Sequence, residues 1–176
     1  FVDGAVRKTA NIDIAREKGA DLIICYNPFR PLHNKIFLEY LREEKKFVTR
    51  NRRISDSGLV MIFNQVFRTL FHTRLHYGIE MLRQNKQFKG DLILIEPKED
   101  DATFFEISPF AFWNRAKAAR HGFTSVRDSI EARFDEISKI LAAYGIEMSR
   151  KLADLDYSKL TKTTSDDSSI MNVLAK

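Results

Sequence analysis

With a single cysteine in 176 residues, this chain has no partner for an intramolecular disulfide and no thiolate cluster for a metal. That residue, Cys25, sits inside the apolar run "DLIICYN", where an inert small hydrophobe is the expected role. Such usage suits a reducing compartment, and a cytoplasmic or membrane-peripheral location is expected. Seven glycines and four prolines leave no room for low complexity except in the last polar string. No stretch approaches the ~20 consecutive apolar residues that span a bilayer. Neither a Gly-x-Ser-x-Gly elbow, a Walker pattern nor a dinucleotide fingerprint occurs in these residues, so they hold no recognisable serine nucleophile and no phosphate cradle.

Hydrophobic residues make up 44% of the chain and charged residues 30%, a balance that packs a core. Most of the fourteen phenylalanines follow helical spacing and read as core, so no nucleic-acid partner is expected. The formal net charge is +5, and the run 42–53, "REEKKFVTRNRR", holds six Lys/Arg against two Glu. A solvated face is the ordinary role for such a run. Arg50, Arg52 and Arg53 are the candidates for contact with an anionic membrane surface.

Two apolar runs, "DLIICYN" and "DLILIEP", each close on a polar residue followed by proline, the pattern of strands buried on both faces. Helices are expected before and between them. "NIDIAREKGA" predicts a short helix stopped by Gly19. Residues 57–88 carry apolar side chains at three- and four-residue steps and predict a long helix whose stripe packs on a sheet, with Ser57 as its cap. Downstream, an acidic loop with an extended piece at Phe104 to Ile107 is expected. A helix capped by Ser108 and ended by Gly122 follows, then a further one opened at Ser125 and stopped by Gly145. The fold class is therefore α/β with a mainly parallel sheet.

Candidate chemistry is sparse. His72, His76 and Glu80 fall at i, i+4 and i+8 on one helix face, a ligand set suited to zinc. The pattern lacks a glutamate beside the first histidine, and satisfied surface or interface histidines are the ordinary case, so no metal is assigned. His33 and His121 stand next to predicted helix boundaries, where capping accounts for them. Asp3, followed by Gly4 and Ala5, ends an apolar opening where open α/β sheets place ligands and catalytic groups, although on spacing alone a plain turn aspartate is the more ordinary role.

The opening "FVDGAVRKTANIDIAREKGADLIICYNPFRP" closely resembles the second half of the patatin-like phospholipase family. There an Asp-Gly-Gly or Asp-Gly-Ala motif ends a strand, a short helix follows, and a strand closing on Asn-Pro comes next. The long helix, the "DLILIEP" strand and "RAKAARHGFTSVRDSIE" extend the similarity over residues 1–135. Thr9 and Asn11 depart from the Asn and Pro that many members carry there.

The resemblance implies part of a three-layer α/β sandwich, residues 1–160, incomplete without an upstream half; the polar string from Thr161 on reads by its composition as a mobile tail over 161–176. It implies a cofactor-free lipid acyl hydrolase in which a serine attacks the ester carbonyl and an aspartate serves as its base. Asp3 takes the aspartate role, with Gly4 and Ala5 as motif neighbours. The implied partners are the upstream half carrying Gly-x-Ser-x-Gly, a lipid ester substrate and a membrane surface. A non-catalytic α/β scaffold and a peripheral membrane-binding module are the alternatives.

Overall fold

The computed structural model describes residues 8–33, 38–41, 43–49, 54–107 and 115–162. Asp3, Gly4, Ala5, Arg50, Arg52, Arg53 and Ser108 lie outside the described residues, as does 163–176. The chain is mixed α/β and mostly helical: α1 (Ile12–Glu17), β1 (Leu22–Tyr26), β2 (Leu38–Leu41), β3 (Lys46–Thr49), a 3-10 turn (Ile54–Ser57), α2 (Leu59–Gln84), β4 (Asp91–Ile95), α3 (Ala102–Glu106), α4 (Arg115–Glu131), α5 (Phe134–Ala143) and α6 (Arg150–Lys162).

The two apolar runs form strands as expected, and the strands pair directly with each other. β1 and β4 are parallel and in register, from Leu22 beside Asp91 to Tyr26 beside Ile95. β2 and β3 form a separate antiparallel hairpin, with β3 inside the basic run 42–53 and β2 just before it. In β1 and β4, alternate side chains serve opposite faces. Ile23 and Cys25, with Leu92 and Leu94, pack with Ile12 of α1 and Leu75, Ile79 and Leu82 of α2. On the other face Ile93 is buried with Ile137 and Leu141 of α5, and Leu22 and Ile95 pack against them. Helices thus pack on both faces of a two-stranded sheet, but on the α5 face Ile24 and Tyr26 stay 55% and 43% exposed, so β1 is buried on one face and not on both as expected.

The stops at Gly19 and Gly145 are present as expected. At each, paired backbone bonds close the last turn: Ala20 to Ala15 and Gly19 to Arg16, then Ile146 to Leu141 and Gly145 to Ala142. Both glycines take left-handed φ, 82° and 73°, the conformation this closure needs.

The long helix forms, but only its second half packs on the sheet. At 1.5 Å per residue its 26 residues run about 39 Å, whereas five-residue strands reach about 17 Å. The helix outruns the sheet, and Leu59, Val60, Phe63, Phe67 and Leu70 stay more than half exposed. Ser57 belongs to the 3-10 turn, and Gly58 stands at the N-cap of α2.

Three further expectations are corrected. Phe104 lies in the short helix α3, not in an extended piece, because the Asp101 side chain accepts the Phe104 N–H and caps that helix. Helix α4 runs straight through Gly122 to Glu131, since a single glycine costs a helix only about 1 kcal/mol. Ser125 lies within that helix and opens no new one; the break falls at Ala132 and Arg133.

Gly90 leads into β4 against the backbone of Asp21, whose carbonyl accepts the Asp91 N–H at 2.8 Å. A Cβ at Gly90 would overlap that carbonyl. Gly90→Ala is therefore expected to destabilise the fold by roughly 3 kcal/mol, the upper end of ordinary overpacking, read as a lower urea midpoint with unchanged slope.

Candidate functional site

Parallel register decides what meets at the carboxyl end of the sheet. Tyr26 stands beside Ile95, so the next residues, Asn27 and Glu96, stand beside each other, each followed by a proline. The Asn27 N–H extends the ladder by donating to the Ile95 carbonyl at 2.9 Å. Asn27 is 2% exposed. Its Oδ1 accepts the Phe29 N–H at 3.0 Å, closing an Asx turn, which leaves the amide NH2 facing away from that turn. The NH2 donates to Glu96 Oε1 at 2.6 Å and lies 3.2 Å from His72 Nδ1.

Helix α2 crosses this end of the sheet and contributes two imidazoles one turn apart. His72 Nδ1 is 3.1 Å and His76 Nε2 3.5 Å from Glu96 Oε1, and the two rings stack obliquely with centroids 4.2 Å apart. Burial pushes the His72 imidazole below its ordinary range; the Glu96 carboxylate opposes that shift, while His76 and Arg30 add to it. Behind Glu96, Ser129 of α4 donates its hydroxyl to the Glu96 carbonyl at 2.6 Å. Beside the pair of histidines a groove of about 580 Å³ opens, lined by Tyr77, Glu80, Arg83 and Leu94 among others.

The loop leaving Asn27 is fastened to α2 as well. Arg68, 7% exposed, donates Nη1 to the Pro28 carbonyl at 2.9 Å and Nε to Asn64 Oδ1 at 3.2 Å, with the rings of Phe104 and Phe105 within 6 Å of its guanidinium. Burial pushes the Arg68 pKa down. Gln65 clasps Leu32 both ways, accepting its N–H at 3.0 Å and donating to its carbonyl at 2.8 Å.

A second polar cluster centres on Asp101. Its carboxylate accepts from the Phe104 N–H, from His121 Nε2 at 2.8 Å and from the Ser125 hydroxyl at 2.9 Å. Serine and aspartate in contact suggest a nucleophile and its base, but the chemistry does not follow. Ser125 is 6% exposed inside a helix, and the carboxylate already serves three donors, so the arrangement ties α3 to α4. His121 thus acts from mid-helix, not at a helix boundary, while His33 pairs with Glu99 in the loop after β1.

Of the chemistry-bearing residues singled out from the sequence, His72 and His76 come together as expected, but their carboxylate is not Glu80. Glu80 accepts from Gln84 at 3.2 Å and pairs with Arg83, while Glu96 occupies the position between the imidazoles. The signal for Glu96 and Asn27 was their shared place, a polar residue before proline at the end of each apolar run. Cys25 is buried, and burial raises its thiol pKa, with Glu96 adding to the rise, which fits an inert packing role.

No family model, curated protein or solved structure matches this chain.

The Asp101 cluster generates a test. Asp101→Ala removes a helix cap and leaves the buried Ser125 hydroxyl without its acceptor, at an expected cost of roughly 2 kcal/mol in urea unfolding. Adding Ser125→Ala to that variant is expected to restore part of the loss, the non-additivity of groups that touch.

Proposed function

We propose that this chain is the carboxyl-terminal part of a patatin-like lipid acyl hydrolase, with Asp3 as the catalytic base. The observation that carries the reading is the parallel pairing of β1 with β4 through the long helix α2, each strand closing on a polar residue and proline at the same end of the sheet. Helices on both faces of those strands are the arrangement a three-layer sandwich extends. In such a sheet, ligands and catalytic groups gather beyond the carboxyl ends of the strands. A strand ending at Asp3 and lying parallel to β1 would bring that carboxylate to this end.

The chemistry needs an upstream half bearing a serine elbow and backbone oxyanion donors. The serine Oγ adds to the ester carbonyl as its proton passes to Asp3, giving a tetrahedral oxyanion. Collapse of that intermediate expels the alcohol, which takes the proton, and leaves an acyl-serine; water, deprotonated by Asp3, then releases the fatty acid. No cofactor enters this scheme. In the assembled protein, Asp3→Ala is expected to lower both ester hydrolysis and labelling of the serine by a fluorophosphonate by at least about 100-fold. Hydrolysis at the unaltered rate would overturn the mechanism.

One observation favours a role at a lipid surface beside catalysis. The exposed first half of α2, with Leu59, Val60, Phe63, Phe67 and Leu70, begins after the 3-10 turn and Gly58 that follow the basic run 42–53. Apolar and basic groups adjoining in this way suit insertion at an anionic interface. Binding to phosphatidylserine vesicles is expected to weaken with rising salt, and to fall at least tenfold when Arg50, Arg52 and Arg53 are changed to Ala. Binding indifferent to both changes would exclude the surface role.

A further inference from the structure

We propose that His72, His76 and Glu96 form a binding site for a divalent transition metal of the zinc class, with one coordination position open to the adjoining groove. The inference is independent of the acyl hydrolase reading and rests on the geometry at the sheet end.

Zinc bonds to imidazole nitrogen and carboxylate oxygen measure about 2.0–2.2 Å, so neighbouring ligand atoms of a tetrahedral site stand about 3.4 Å apart. Two of the separations here, 3.1 Å and 3.5 Å to Glu96 Oε1, match that edge. All three ligand atoms lie within 4.8 Å of one another. The ligands come from two elements, with the carboxylate at the end of β4 and the histidines on the helix packed over it, so tertiary structure and not helix periodicity closes the site.

Asn27 sharpens the chemistry. Its Oδ1 is taken by the Phe29 N–H, so its NH2 faces both Glu96 Oε1 and His72 Nδ1. His72 Nδ1 stands 3.1 Å from that Glu96 oxygen, and a metal ion bound to both would take the place of the proton that an imidazole–carboxylate pair otherwise shares. The Asn27 NH2 bonds the ligand oxygen itself and the Ser129 hydroxyl the Glu96 main-chain carbonyl, outer contacts that fix the position of the glutamate. Two imidazoles and one carboxylate suit zinc, cobalt, nickel or copper better than magnesium or calcium. The groove of about 580 Å³ supplies water for the fourth position.

The test uses the complete purified protein, stripped with a chelator and titrated with zinc by equilibrium dialysis, with cobalt as a visible probe. One equivalent of zinc, the intense visible bands of four-coordinate cobalt and a thermal midpoint that rises with free zinc are expected. His76→Ala and Glu96→Gln are each expected to weaken binding at least tenfold. Glu80→Gln should change it less than twofold. His76 is 47% exposed, so His76→Ala keeps the test sound should Glu96→Gln fail to fold. The proposal is overturned by the absence of stoichiometric binding, which leaves only a proton shared in an ion pair. Binding untouched by His76→Ala, or lost equally with Glu80→Gln, also overturns it.

Discussion

The hydrogen-bonded register between β1 and β4 determines which side chains stand together at the sheet end. A shift of one residue would turn every side chain of a strand to the other face, exchanging the group that packs on α1 and α2 for the group that packs on α5. The same shift would separate Asn27 from Glu96. Core and polar site are therefore consequences of one pairing, which ends where Pro97 lacks the N–H that would donate next in the ladder.

Polar groups at this end are satisfied by one another across distant segments. Asn27 serves its own turn, the neighbouring strand end and α2; Arg68 serves the loop carbonyls; Asp101 serves α3 and α4. Buried polar groups are costly when unpaired, and connected in this way they favour one geometry over near alternatives. That rigidity suits a site whose ligand atoms must hold their separations without help from a loop.

How much of this was legible in the sequence follows from the range of each interaction. Apolar runs and glycine stops act locally, and they disclosed β1, β4, α1, α2 and the ends at Gly19 and Gly145. The partner of Ser125 lies 24 residues away at Asp101, so a local capping pattern misled, and the helix ran on. Helix periodicity nominated Glu80 beside the histidines because it sees only one element. The true neighbour, Glu96, arrives through a parallel pairing that no spacing within the helix encodes. The resemblance carried by Asp3 rests on a stretch outside the described residues, so the sheet end supports that reading from the other strands alone.

The grip of Gln65 and Arg68 on Leu32 and Pro28 has an evolutionary consequence. These two side chains stand about one helical turn apart, and the loop carbonyls they hold are spaced to match. The segment from Pro28 to Leu32 is thus ruled off against the pitch of α2, as a scale against a fixed gauge. Insertions and deletions should be rare in this stretch among relatives, although surface connections are where length ordinarily drifts most freely.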